Sequence, residues 1–140
     1  MAKNKVIVID DDETYLEEFR SMLVSNGYSV ETTSDCMGAV NAIIRSRPDV
    51  IILDLKMKEK NGFQIAAELS LIPETSDIPI IAITGYFKER EHVGFMKING
   101  IKDYLIKPIN PKDIITKIEW HIKNRDISSQ SHLQPFRLLF

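Results

Sequence analysis

Cysteine is nearly missing from this chain. Cys36 stands alone among 140 residues, so no internal disulfide can form, and without a histidine or second cysteine at ligand spacing it reads as a small buried or half-buried residue. The three histidines, His92, His121 and His132, are scattered and are expected to face solvent, with no metal role. An excess of charge is also lacking: 18 basic against 20 acidic side chains leave a net charge of −2, so no basic field draws the chain to nucleic acid or an anionic membrane, and direct nucleic-acid binding by this chain is not expected. No run approaches the roughly 18 apolar residues of a membrane helix, and MAKNK ahead of a four-residue apolar run is too short for a signal peptide. A cytoplasmic protein with no membrane association is expected. A glycine-rich turn after the first apolar run is missing too. Aspartates fill its place, which disfavours a dinucleotide site.

What is present is regular patterning. Hydrophobic residues at 44% and charged residues at 27% match an ordinary globular domain, and 140 residues suffice for one good core rather than two. Five short, β-branched apolar runs recur: Val6 to Ile9, Tyr28 to Thr33, Val50 to Leu53, Ile78 to Ile83 and Ile101 to Ile106. The segments between and after them have helical spacing. A first helix presents Leu16, Phe19 and Leu23 and closes near Asn26-Gly27. A second starts around Ser34-Asp35, presents Val40, Ile43 and Ile44, and halts before Pro48. A third follows Asn61-Gly62 with Ile65, Leu69 and Ile72 on one side. The fourth, Phe87 to Lys97, is poor, because Gly94 lies inside it and its stripe is little more than Val93 and Met96. The fifth begins at Asn110-Pro111 and is expected to bury Ile115, Ile118 and Ile122. Trp120 lies off that stripe, at least partly exposed, a candidate contact for a partner or a second copy.

Strand alternating with helix implies an α/β fold: a parallel sheet, right-handed crossovers and helices on both faces. The two continuously apolar runs, Val6 to Ile9 and Val50 to Leu53, suit central strands, and the half-polar Tyr28 to Thr33 suits an edge. Ligands gather beyond the carboxyl ends of strands in such a sheet. Those positions hold Asp10 and Asp11, then Asp54, then Thr84 and Gly85, then Lys107 and Pro108. Two carboxylates about 5 Å apart repel by roughly 3 kcal/mol at an effective dielectric near 20, so three ionised together need a counter-charge. A divalent metal supplies it most simply. Hard oxygen ligands without histidine or cysteine indicate Mg²⁺ or Mn²⁺, and a metal with open positions beside a hydroxyl and a lysine suits phosphoryl transfer. A plain helix cap with first-turn acids accounts for Asp12 and Glu13, though not for Asp10 and Asp11.

The succession IDDD, IILDL, IAITG and DYLIKP at the ends of the first, third, fourth and fifth strands resembles the receiver domain of two-component response regulators, over about residues 4 to 125. Each motif is weak alone; four in order are specific. The resemblance implies a doubly wound, five-stranded flavodoxin-like sheet of order 2-1-3-4-5 with five helices, in a receiver domain over 1–125 followed by a tail or linker over 126–140. It makes Asp54 the phospho-acceptor, attacking the phosphohistidine of a sensor histidine kinase or phosphotransfer protein. Asp11, Asp54 and the backbone carbonyl of Lys56 would ligate Mg²⁺, with Asp10 acting mostly through a water. Lys107 would neutralise a phosphoryl oxygen, Thr84 would hydrogen-bond another, and Gly85 would offer a backbone N–H. Tyr104 matches the aromatic switch that turns inward when Thr84 moves, the loosely built fourth helix being the element to shift. A cis Lys107-Pro108 bond is also implied.

The chain departs from the family where proline usually follows the acceptor by four residues. Lys58 stands there, in KMKEKNG, so a more mobile, more basic loop is expected. Lys56 and Tyr86 occupy the variable positions flanking the site, and a tyrosine lying over the phosphoryl group would hinder attacking water and lengthen the phosphorylated state. The rival readings are a Mg²⁺-dependent aspartyl phosphohydrolase, which resembles D-x-D at its nucleophile where this chain has Lys56, and a receiver-like interaction module that no longer takes phosphate. A receiver is not a turnover enzyme, since it promotes only its own phosphorylation and dephosphorylation. The chain is expected to be a stand-alone receiver or one excised from something longer, with a possible homodimer through the fourth and fifth helices. Leu133, Phe136, Leu138, Leu139 and Phe140 give the tail an apolar cluster, compatible with docking, a dimer contact, a linker or a cloning remnant.

Overall fold

In a computed structural model of the protein, residues 3–85 and 90–125 are described, residues 90–92 by their backbone alone. The expectations for Tyr86, for a helix start at Phe87, for the His92 side chain, for His132 and for the tail over 126–140 lie outside the described residues.

Among the described residues strands and helices alternate. β1 (Lys5–Ile9), α1 (Glu13–Ser25), β2 (Ser29–Thr33), α2 (Ala39–Ser46) and β3 (Val50–Asp54) are followed by α3 (Gly62–Ser70), β4 (Ile80–Thr84), α4 (Arg90–Ile98), β5 (Asp103–Ile106) and α5 (Pro111–Lys123). The strands form one parallel sheet in the order β2-β1-β3-β4-β5. β3 and β4 are buried along their whole length and β1 from Val6 onward, whereas β2 and β5 are partly covered edges, as their half-polar sequences require.

Alternating side chains divide the core in two. Ile7, Ile9, Ile51 and Leu53 meet Ile43 of α2, Ile65 and Leu69 of α3 and Met96 of α4 on one face. Val6, Val8, Val50, Ile52, Ile81 and Ile83 meet Leu16, Phe19 and Leu23 of α1 and Ile114 and Ile118 of α5 on the other. Cys36 is buried, within the first cluster. α1 is capped by Asp12, whose carboxylate accepts the Tyr15 N–H at 3.1 Å, and the chain leaves it through Gly27 at φ +93°. α3 opens with a reciprocal capping box between Asn61 and Gln64.

Three details depart from the sequence reading. α2 starts at Ala39, several residues after Ser34-Asp35, because the Asp35 carboxylate accepts the Gly38 N–H and the Asp35 N–H donates to Thr33 Oγ1, both at 3.1 Å, holding this stretch in a local turn. α5 buries Ile114, Ile118 and His121, while Ile115 and Ile122 flank the stripe. His121, expected to face solvent, is only 2% exposed. The cause is Asp103 at the start of β5, fully buried, whose Oδ2 lies 3.1 Å from His121 Nε2 and whose Oδ1 accepts from Lys117 Nζ at 2.7 Å. A buried carboxylate needs such partners. Trp120 is partly exposed, its ring edge-on to His121 with centroids 4.9 Å apart.

Two glycines inside helices have opposite reasons to be there. A Cβ at Gly62 would lie 2.5 Å from the Asp54 carbonyl oxygen and 2.9 Å from Leu55 Cα, so α3 can start against the end of β3 only without a side chain. At Gly94 a Cβ would meet nothing within 4 Å among the described residues. Gly62→Ala is expected to cost about 1–3 kcal/mol through overpacking, and Gly94→Ala to add about 0.5–1 kcal/mol from helix propensity. Urea unfolding of both variants checks the contrast; changes of the same sign would contradict it.

Candidate functional site

The register of the sheet brings the acids together. β1 and β3 pair with Ile9 opposite Leu53, so each strand's next residue, Asp10 and Asp54, emerges at the same edge. One carboxylate oxygen from each of Asp10, Asp11 and Asp54 lies within 4.8 Å of the others. Asp10 and Asp54 are 2% and 5% exposed, and Asp11 is the more open of the three. Asp10 is held on both oxygens: Oδ1 accepts the Asp12 N–H at 3.0 Å, and Oδ2 lies 3.3 Å from Lys107 Nζ. Asp54 Oδ1 accepts the Lys56 N–H at 3.3 Å and is 3.9 Å from Lys107 Nζ.

The remaining strand ends complete the rim. Thr84 ends β4 next to Ile83, the residue paired with Asp54, and is buried. Its carbonyl accepts the Lys107 N–H at 2.8 Å, which ties the base of the lysine to β4. The Lys107-Pro108 bond is cis. Gly85 is exposed, and a Cβ there would meet nothing within 4 Å among the described residues. Tyr104 on β5 pairs with Ala82 of β4, two residues short of Thr84, and packs half-buried against the α2, α3 and α4 face. It is therefore outside the carboxylate cluster. Burial, and then the neighbouring Asp103, pushes its phenol pKa up.

Lys58, in the loop expected to be more mobile and more basic, makes a main-chain contact to a site acid. Its backbone N–H donates to Asp11 Oδ2 at 3.1 Å, a bond that proline could not make, so the residue departing from the family pattern fastens the loop after β3 to the loop after β1. Two further residues at the site carried little sequence signal. Gly62 allows α3 to approach Asp54, a role hidden behind its use as a helix start. Tyr15 presents its ring to Lys107 Nζ at 4.3 Å from the centroid; an aromatic in the first turn of an amphipathic helix reads as ordinary core. Burial, then Asp10, Asp54 and Glu18, pushes the Tyr15 hydroxyl up to about 12.

Electrostatics record the crowding. Burial foremost, then Asp10, raises the Asp54 carboxyl from 3.8 to about 6, against the lowering effect of Lys107 and the Lys56 N–H and with a further rise from Asp11. A single ammonium thus leaves the three acids under-compensated. All the converging donors are carboxylate oxygens, with no nitrogen or sulfur, a set that suits a hard divalent cation.

The sign of the pH effect follows. Below 3.8 the Asp54 carboxyl is protonated folded or unfolded; between there and about 6 the unfolded chain releases the proton while the folded chain keeps it, so stability falls as pH rises. Solvent at the open rim screens part of the effect, leaving on the order of 2 kcal/mol. In metal-free buffer Asp54→Asn is expected to remove this part of the stability curve and to melt above wild type at neutral pH. Thermal melts of both proteins from pH 4 to 8 check this; parallel curves would mean that Asp54 feels no crowding.

Known proteins with this organisation agree with it. The family model for the response regulator receiver domain matches residues 6–119. The chain is 31% identical, over 94% of its length, to a probable transcriptional regulator, ycf27, of Guillardia theta, and spans about half of that relative, 51%. The chemotaxis protein CheY4 of Vibrio cholerae superposes with a TM-score of 0.80 at 28% identity, covering 85% of this chain and 98% of that one. The receiver domain of sensor histidine kinase PA1611 from Pseudomonas aeruginosa PAO1, solved with a magnesium ion coordinated in its active site cleft, superposes at 0.79 with 24% identity, over 87% of this chain and 99% of that one. With its sheet order, its acidic strand ends and a family match over most of its length, this chain belongs to the response regulator receiver domain family.

Proposed function

We propose that the chain is a phosphorylation-dependent signalling switch that accepts a phosphoryl group on Asp54 in a Mg²⁺-dependent reaction and relays it by conformational change. The convergence of Asp10, Asp11 and Asp54 beside Lys107 carries this reading. Mg²⁺, which the PA1611 receiver domain coordinates in its active site cleft, would be held by Asp11, Asp54 and the Lys56 carbonyl, with Asp10 acting through a water. When bound, it offsets the carboxylate repulsion and the charge on the phosphoryl oxygens. The chain's own groups do the rest. An Asp54 carboxylate oxygen attacks the phosphorus of a phosphohistidine on a sensor histidine kinase or phosphotransfer protein; the O–P bond forms as the P–N bond breaks, and the nitrogen keeps the electron pair. Lys107, already within 4 Å of Asp54, neutralises a transferred oxygen. Thr84 and the Gly85 N–H receive the others, and Tyr104, half-buried two residues along β5 from Ile106, is the side chain that reports the change.

A turnover phosphohydrolase fits less well. Lys56 occupies the position where a D-x-D enzyme carries its general acid, and a lysine cannot serve there. Among the described residues no helix is long and apolar enough to cross a membrane, and a cytoplasmic receiver domain over residues 1–125, with 126–140 as tail or linker, is the arrangement we infer. Phe95, Ile98 and Ile106, exposed on α4 and β5, support an output face used by a partner or by a homodimer through α4 and α5.

Acetyl phosphate with Mg²⁺ is expected to add one phosphoryl mass to the wild type, none to Asp54→Asn, and none after chelation; release of phosphate from other phosphoesters should stay at background. Beryllofluoride with Mg²⁺ is expected to perturb Trp120 fluorescence. Silence in both measurements with Asp54 intact favours a receiver-like interaction module. Mg²⁺ alone should raise the melting temperature by mass action, by about 2.7 kcal/mol of stability at one hundred times its Kd. If Tyr86 shields the phosphoryl group from water, Tyr86→Ala shortens the lifetime of the phosphorylated state; an unchanged decay rate sinks that role.

A further inference from the structure

We propose that Tyr15 is a positioning residue for Lys107, its ring face holding the ammonium beside Asp54 without neutralising it. Lys107 Nζ stands 4.3 Å from the Tyr15 ring centroid, 3.3 Å from Asp10 Oδ2 and 3.9 Å from Asp54 Oδ1. A lysine ammonium is a point charge on a four-carbon stem that swings freely unless held. This side chain is 28% exposed, so burial alone does not fix it.

The ring differs in kind from the other two neighbours. A carboxylate in its place would bind the ammonium tightly and cancel the charge that a phosphoryl oxygen must meet. An aliphatic side chain would exert no pull. An aromatic face attracts the cation through its quadrupole, leaves it fully charged and takes none of its N–H groups away from oxygen acceptors.

The ring is itself fixed by the segment that carries the acids. The Tyr15 N–H donates to Asp12 Oδ1 at 3.1 Å, so its backbone belongs to the same cap that follows Asp10 and Asp11. Buried Phe19, one turn along α1, packs on the ring with centroids 5.7 Å apart and planes 52° apart. The hydroxyl, pushed up by burial and by the nearby acids, stays a neutral phenol and adds no charge to the site. The ring alone carries the effect.

This role rests on phosphoryl acceptance at Asp54, whereas the contact does not, so two measurements on wild type, Tyr15→Phe and Tyr15→Leu separate them. The NMR ring-current shift of the Lys107 ε-methylene protons reads the contact without any phosphoryl chemistry; it should be upfield in wild type and Tyr15→Phe and lost in Tyr15→Leu. The initial rate of Asp54 phosphorylation by acetyl phosphate at saturating Mg²⁺ reads the role. It should fall about fivefold in Tyr15→Leu, recover when the ring is restored in Tyr15→Phe, and show no Tyr15→Leu effect once Lys107→Ala is present. A Leu variant as fast as wild type, a Phe variant as slow as Leu, or a wild type with no ring-current shift overturns the assignment. A wild type that shows the shift yet takes up no phosphoryl group overturns the signalling reading, not the contact.

Discussion

Backbone hydrogen bonding between β1 and β3, in a register that sets Ile9 opposite Leu53, makes Asp10 and Asp54 neighbours whatever their charges prefer. The sheet can impose this because both faces of its central strands are packed into apolar layers that hold the register. A slip of β1 by one residue would turn Ile7 and Ile9 away from α2, α3 and α4 and bring Val6 and Val8 into their layer. Burial of branched side chains on two faces thus holds an electrostatically unfavourable arrangement at the sheet's edge, and the raised Asp54 carboxyl is the trace of that conflict.

Around this edge the loops distribute small polar debts. Asp12 spends its own N–H on Asp10 and its carboxylate on Tyr15, so one residue both steadies a site acid and starts α1. Lys58 gives its N–H to Asp11, and Lys56 gives its N–H to Asp54. Backbone donors from the loop after β3 therefore reach two of the three acids, while side-chain charge reaches the site only through Lys107 among the described ion pairs. The site is held mainly by main-chain geometry, and side-chain substitutions in that loop leave these donors in place.

Most of the architecture was legible in the chain because its signals were redundant. Val6 to Ile9 and Val50 to Leu53 are apolar throughout and can only be central strands, and Asn110-Pro111 can hardly be anything but a helix start. Legibility failed where one side chain outvoted the pattern. Asp35 satisfied the Gly38 N–H and delayed α2. On α5 the adjacent Ile114 and Ile115 fit an apolar stripe equally well, and the choice was made by Asp103, a distant buried acid that required Lys117 and His121 beside it. At the candidate site, the acids and Lys107 were legible from their places after strands. Tyr15 and Gly62 were not, since a ring facing a cation and a missing Cβ beside a carbonyl are facts of three dimensions.

Asp103 has a consequence for how movement can pass through the domain. Its Oδ1 takes the Tyr104 N–H as well as Lys117, and its Oδ2 takes His121. With both oxygens committed and the carboxylate fully buried, the start of β5 is pinned to the second half of α5. They travel as one plank. Any rearrangement that begins at the strand ends must then be absorbed at the seams on either side of that plank, where α4 meets β5 and where α1 meets α5, rather than between the strand and the helix that follows it.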